Sequence, residues 1–134
     1  MTDFNAVFDV VARSPNADAS RMGIAGASYG GYAVNWLIGH SNRFKAAVSH
    51  DGVFNLESMS LTIEELWFTD WEFDGAPWTA TARKNFARCS PHLSADKIRT
   101  PTFLITNAQD FRVPVGWHQE VFAWMHKYLA PVTL

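Results

Sequence analysis

Apolar residues recur at positions 4, 7, 8 and 11 in Phe4-Asn5-Ala6-Val7-Phe8-Asp9-Val10-Val11-Ala12, which is one face of a helix over residues 4–12. The Ser14-Pro15-Asn16-Ala17-Asp18 cluster ends it, since proline and short polar side chains favour turns. Met22-Gly23-Ile24-Ala25-Gly26-Ala27 carries no charge and predicts a short strand buried on both faces, followed by a helix from Tyr29 to His40. A second short strand is expected from Phe44 to Ser49. Residues 53–90 hold helical fragments broken at Gly75-Ala76-Pro77 and closed by Ser90-Pro91, an excursion rather than a linker. Thr102-Phe103-Leu104-Ile105-Thr106 is the strongest strand signal, rich in β-branched and apolar residues. After it the pattern predicts a helix from Val115 to Leu129, ended by Pro131, and the start of a strand in Pro131-Val132-Thr133-Leu134.

Short, nearly all-apolar strands alternating with helices imply an α/β class, a parallel sheet of about three strands covered by helices on both faces. No internal repeat or low-complexity tract interrupts the pattern. At 134 residues, 48% hydrophobic and 18% charged, the chain suits one globular domain. Eleven Lys and Arg against thirteen Asp and Glu leave a net charge of -2 and no basic cluster, which argues against a nucleic-acid partner. Met1-Thr2-Asp3-Phe4-Asn5 lacks the basic and apolar regions of a signal peptide, and no stretch nears about 20 apolar residues, so neither export nor a membrane span is expected. The single cysteine, Cys89, excludes an internal disulfide framework and a multi-cysteine zinc site, the usual state of a cytosolic chain.

Gly26-Ala27-Ser28-Tyr29-Gly30 fits Gly-x-Ser-x-Gly, with a further glycine at Gly31, and falls at a strand-to-helix junction. A tight turn that presents the Ser28 hydroxyl brings the positions two before and two after it together, so Gly26 and Gly30 are both expected to remove clashing side chains. The helix beginning at Tyr29 aims its N-terminal amides at an oxyanion forming beside Ser28, which makes the Tyr29 N–H a candidate donor. The bland alternative is a glycine-rich turn that merely packs a helix on the sheet. Asp110 follows the 102–106 strand in Asn107-Ala108-Gln109-Asp110-Phe111-Arg112-Val113-Pro114, where its carboxylate is expected at the same sheet edge as Ser28 and able to orient an imidazole. Its alternative roles are to cap a turn or to pair with Arg112. Asp51 is the competing acid, although His50-Asp51-Gly52 reads first as a turn.

Gly26-Ala27-Ser28-Tyr29-Gly30-Gly31-Tyr32, Phe44-Lys45-Ala46-Ala47-Val48-Ser49, Ser90-Pro91-His92 and Asp110-Phe111-Arg112-Val113-Pro114 together resemble the catalytic domain of the prolyl oligopeptidase family, in its dipeptidyl-peptidase and acylaminoacyl-peptidase-like branch. The resemblance spans nearly the whole chain and implies an α/β-hydrolase fold, with residues 1–134 a partial catalytic domain holding an incomplete sheet. It implies Ser28 as nucleophile, Asp110 as triad acid and Tyr29 as an oxyanion contributor, with no cofactor. In the family the catalytic histidine follows the strand after the Val115 to Leu129 helix, so it is expected outside these residues. The early strands with the second oxyanion donor, and the N-terminal β-propeller, are expected outside them too. The open edge of the Met22 to Ala27 strand then needs the remainder of a longer chain, or a partner, to cover it.

Of the five histidines, His118 and His126 lie about 80° apart on their predicted helix and do not have the spacing of a metal pair. His40 ends the nucleophile helix, where a cation near the carbonyls is favourable, and His50 and His92 read as structural. No three or four of them converge as zinc ligands, so no metal is expected. Aromatic residues make up 14%, including six Trp and ten Phe, and are densest in Leu66-Trp67-Phe68-Thr69-Asp70-Trp71-Glu72-Phe73. Trp67, Phe68 and Trp71 are candidates for an apolar pocket for the residue preceding the scissile bond, or for fasteners of the excursion. Glu64, Glu65, Asp70, Glu72 and Asp74 are an acidic stretch suited either to a substrate amine or to solvent. The reading is a serine peptidase acting on peptide substrates through an acyl-enzyme, this segment being inactive alone. Its alternatives are a carboxylic-ester hydrolase of the same fold and a catalytically dead interaction module.

Overall fold

The computed structural model describes residues 2–110, 112 and 113. The helix expected over 115–129 and the strand expected at 131–134, with His118 and His126, lie outside the described residues. Helix α1 (Thr2–Ala12) leads through a short 3-10 turn to strand β1 (Gly23–Ala27) and helix α2 (Tyr29–Ile38). Strand β2 (Ala46–His50) follows, then the excursion, made of α3 (Leu56–Thr62), α4 (Leu66–Glu72) and α5 (Ala80–Cys89), a 3-10 stretch over Pro91–Lys97, and strand β3 (Thr102–Ile105). Among the described residues no helix is long and apolar enough to cross a membrane.

The helix ends follow side-chain chemistry. Asn55 caps α3 by accepting the Ser58 N–H at 3.0 Å, and Thr79 caps α5 through the Ala82 N–H. The break between α4 and α5 falls where expected, with Asp74 and Gly75 both at positive φ, 62° and 122°.

The sheet is parallel in the order β1-β2-β3. Its register places Ile24, Ala47 and Thr102 in one row and Gly26, Ser49 and Leu104 in the next on the same face. That face carries the first core, in which Val34, Leu37 and Ile38 of α2 meet Phe44, Ala47, Phe54 and Ile98, with Ile24 and Phe8 packed against them. Phe8 meets Phe44 edge to face at 5.1 Å, and Asp9 pairs with Arg43, which fastens α1 to the approach to β2. A second core joins the excursion to α2. Leu56, Met59, Phe73, Ala82 and Phe86 are buried together, with Tyr32 of α2 against them. Two buried hydroxyls, Ser60 and Thr69, hydrogen-bond at 2.9 Å and satisfy each other where α3 meets α4.

The expectation that β1 is buried on both faces is corrected. Burial alternates along β1 and β3, leaving Gly23, Ala25 and Ala27 exposed in one and Phe103 and Ile105 in the other. Successive parallel strands added in one direction by right-handed crossovers send their connecting helices to the same side of the sheet. The row Ala25, Val48 and Phe103 belongs to the other side, and Phe103 is 66% exposed. β1 is also an edge strand among the described residues.

An apolar open face of this kind favours self-association. Expressed as residues 1–134 alone, the protein is expected to elute as soluble aggregate or to melt without a cooperative transition. A monomer by size-exclusion chromatography with a sharp thermal transition would contradict this.

Candidate active site

Ser28 stands between β1 and α2 with φ 55° and ψ -119°, a backbone conformation rarely adopted by a residue with a side chain. Strain of this kind costs roughly 1–3 kcal/mol and persists only where neighbours hold it. Here the Ser28 N–H donates to the His50 carbonyl at 2.9 Å, and the Ser28 carbonyl accepts the Tyr32 N–H at 2.9 Å. The side chain is thereby delivered to solvent at the carboxyl end of the sheet, with the first turn of α2 beside it. The first amides of a helix have no intrahelical partner and carry partial positive charge, so Tyr29 presents an N–H next to Ser28. Its ring is exposed and tilts against Tyr32 at 5.7 Å. The Tyr32 hydroxyl donates to the Cys89 carbonyl, and burial above all pushes its pKa up, which keeps that phenol a neutral donor.

The glycines of this turn do not share one role. A Cβ on Gly26 would strike the backbone of Gly30, with the Gly30 Cα at 2.9 Å. A Cβ on Gly30 would meet nothing within 4 Å, so the expectation that both glycines remove clashing side chains is corrected to Gly26 alone. The second demanding position is Gly31, where a Cβ would lie 2.7 Å from the Gly52 Cα and 2.8 Å from the His50 carbonyl oxygen. Gly52 is constrained in return, its own Cβ position being 2.8 Å from the Gly31 Cα. The α2 backbone thus rides directly on the chain leaving β2. Around that contact the buried Asn35 donates to the Gly52 and Val53 carbonyls at 3.1 and 3.3 Å, and the buried Ser49 hydroxyl donates to the Gly31 carbonyl at 3.2 Å.

Asp110 lies in the loop after β3. Its Oδ1 accepts the N–H groups of Arg112 and Val113 at 3.0 and 2.9 Å, so the turn-capping role is present. Oδ2 takes no hydrogen bond from the described residues, which leaves one oxygen for an imidazole. The Arg112 side chain turns to the excursion, where it pairs with Glu64 and lies 3.4 Å from Glu65, not to Asp110. That guanidinium holds the Glu64 carboxyl below its ordinary range. Both oxygens of Asp51, by contrast, are engaged with Asn107.

The described histidines each have a close neighbour. His40 stacks on Trp36 at 3.6 Å and donates from Nδ1 to the Trp36 carbonyl at 2.7 Å. Nε2 of His50 lies 3.1 Å from Asp51. His92 sits against Phe54, and burial chiefly pushes its pKa down.

The sequence profile of the prolyl oligopeptidase family matches residues 1–130. The chain belongs to this family. It is 44% identical over 117 residues to dipeptidyl-peptidase 5 of Porphyromonas endodontalis, a match that covers 84% of the chain and 17% of that protein. Among solved structures it superposes on Pyrococcus horikoshii acylaminoacyl peptidase with a TM-score of 0.75 at 27% identity, covering 91% of the chain and 20% of that protein. On a puromycin-hydrolyzing peptidase of Mycobacterium tuberculosis the TM-score is 0.81 at 25% identity, covering 96% and 20%. The fold is therefore an α/β-hydrolase one, and the chain spans about a fifth or less of the length of these similar proteins.

Trp67, Phe68 and Trp71 form the outer face of α4, where Trp71 is 83% exposed and Trp67 and Phe68 meet edge to face at 6.2 Å. They do not fasten the excursion to the core. That task falls to Phe73 and Phe86, 4.4 Å apart, which the sequence reading had not singled out. Asn35, Gly52 and Asn107 are further residues of the site region with no expectation from the sequence. An asparagine in the apolar run Ala33-Val34-Asn35-Trp36-Leu37 was the available signal for the first, since a buried amide needs partners.

The steric asymmetry of the turn is testable in the protein expressed from the full reading frame that carries these residues. Gly26→Ala is expected to abolish labelling of Ser28 by a fluorophosphonate probe. Gly30→Ala should label normally and melt no lower, because alanine is the better helix former by about 1 kcal/mol. Equal loss in both variants would contradict the geometry.

Proposed function

We propose that this chain carries the nucleophile, an oxyanion donor and the triad acid of a serine peptidase that hydrolyses peptide bonds through an acyl-enzyme. The observation that carries the reading is the strained Ser28 backbone at a strand-to-helix turn, with the amides of α2 beside the hydroxyl. Ser28 Oγ attacks the scissile carbonyl carbon and gives its proton to an imidazole. The tetrahedral oxyanion is held by the Tyr29 N–H, the imidazolium returns the proton to the leaving amine, and water then hydrolyses the ester. Asp110, accepting through Oδ2, fixes the tautomer of that imidazole and favours its charged form. The base in this reading is the histidine that the family resemblance places outside the described residues, while His40 stacks on Trp36 and His92 sits against Phe54.

Peptides are favoured as substrates by the dipeptidyl-peptidase and acylaminoacyl peptidase named among the relatives. Residues 1–134 act in this reading as part of a catalytic domain within a longer protein, other parts of which cover the open face at Ala25, Val48 and Phe103. The exposed α4 aromatics, Trp67, Phe68 and Trp71, complete an apolar pocket for the residue before the scissile bond only together with those parts.

In the full reading-frame protein, Ser28→Ala is expected to lower turnover of a peptide substrate by about 10⁶-fold and to abolish fluorophosphonate labelling. Asp110→Asn should cost on the order of 10⁴-fold, the loss known for the equivalent change in a trypsin-like triad, with the melting temperature little changed. Wild-type turnover or labelling in Ser28→Ala would remove Ser28 from the chemistry. Near wild-type turnover in Asp110→Asn would remove Asp110.

A further inference from the structure

Asp51 follows β2 directly and stands in the left-handed region, with φ 44°, a conformation that Asp and Asn tolerate better than other residues with side chains. Its N–H donates to the Ile105 carbonyl at the end of β3 at 2.8 Å. Its carboxylate then grips a single residue of the acid loop, Oδ1 accepting the Asn107 N–H at 3.2 Å and Oδ2 accepting the Asn107 Nδ2 at 2.9 Å. The Asn107 carbonyl in turn accepts the N–H of Asp110 at 3.1 Å. The residue before Asp51, His50, accepts the Ser28 N–H through its carbonyl. Two consecutive residues at the end of β2 therefore bond to the nucleophile turn on one side and to the acid loop on the other.

We propose that Asp51 is a positioning residue of the reaction, whose carboxylate, acting through Asn107, holds the Asp110 loop at a fixed offset from the Ser28 turn. The inference rests on the reading of Ser28 as nucleophile and Asp110 as acid. It assigns to Asp51 a part different from that of a competing triad acid: its oxygens hold Asn107 and, at 3.1 Å, the ring of its own neighbour His50, while Oδ2 of Asp110 takes no hydrogen bond from the described residues. A carboxylate suits the place because Asn107 presents two donors. An amide at position 51 would offer one acceptor and set its NH₂ group against that of Asn107. Loss of the grip lets the acid loop shift relative to Ser28, and a displacement of about 1 Å in a reacting constellation can cost about a hundredfold in rate.

The test measures kcat and KM of the full reading-frame protein on a chromogenic peptide amide for Asp51→Asn, Asn107→Asp and the double variant. Each single variant is expected to lower kcat by roughly ten- to a hundredfold with KM within about twofold, because the interaction lost bears on the transition state and not on substrate binding. The double variant places the amide on β2 and the carboxylate on the loop, which reverses donors and acceptors. It should recover kcat to within about fivefold of wild type, as coupled neighbours do. If Asp51→Asn does not fold, Asn107→Ala, which removes only the side-chain donor, should still lower kcat several-fold, and an unchanged kcat there would overturn the proposal. It is also overturned if the double variant is no better than the worse single one, or if KM rises while kcat holds. Loss in Asp51→Asn to the level of Ser28→Ala, with Asp110→Asn near wild type, would make Asp51 the acid itself. Failure of the underlying reading shows separately, as turnover retained in Ser28→Ala.

Discussion

The first turn of α2 crosses the ends of β1 and β2 at backbone contact distance, and the rest of the site depends on that crossing. Gly26 admits the Gly30 backbone, and Gly31 and Gly52 admit each other, at distances where a methyl group would collide. The contact sets the helix N-terminus over the sheet edge, so that the residue between strand and helix has no relaxed conformation available. Ser28 bears the strain, and its hydrogen bonds to His50 and Tyr32 hold it there.

The neighbouring polar groups serve the same crossing. Asn35 and Ser49 satisfy carbonyls that the close approach buries, those of Gly52, Val53 and Gly31. Leaving such groups unpaired would cost about 1–3 kcal/mol each, enough to loosen the turn. The second core reaches α2 through Tyr32, whose hydroxyl donates to the Cys89 carbonyl, so the excursion is fastened to α2. The loop that carries Asp110 is joined to this frame at three places. Asp51 holds Asn107, buried Val113 anchors the far end, and Arg112 reaches Glu64 in the excursion.

The strands, the Gly-x-Ser-x-Gly turn and the loop that carries Asp110 were legible in the sequence because each has a local signature: an apolar run, a glycine pattern, an acid after a strand. Ser28 stands at the strand-to-helix junction and Gly26 at a close backbone contact, as the pattern implies. Gly30 did not follow the steric rule, because the pattern Gly-x-Ser-x-Gly is symmetric whereas a strand entering a helix is not. Gly52 and Asn107 were illegible because their roles come from residues 21 and 56 positions away, Gly31 and Asp51. The apolar strands carry a related limit. An apolar strand signals that both faces are to be covered, but it does not say what covers them. The aromatic run at 66–73 resolves into two populations, with Phe73 in the core and Trp67 and Trp71 outside, a division set by where α4 meets α3 and α5.

The central claim is that the Ser28 turn and the α2 amides form one pre-set site for a tetrahedral oxyanion. The most direct measurement is a crystal structure of the full reading-frame protein carrying a phosphonate adduct. The account predicts a covalent bond to Ser28 Oγ, a Ser28 φ that stays positive, and a phosphonyl oxygen about 2.7–3.1 Å from the Tyr29 nitrogen. An adduct on another residue, or a relaxed Ser28 with that oxygen turned away from α2, would contradict it.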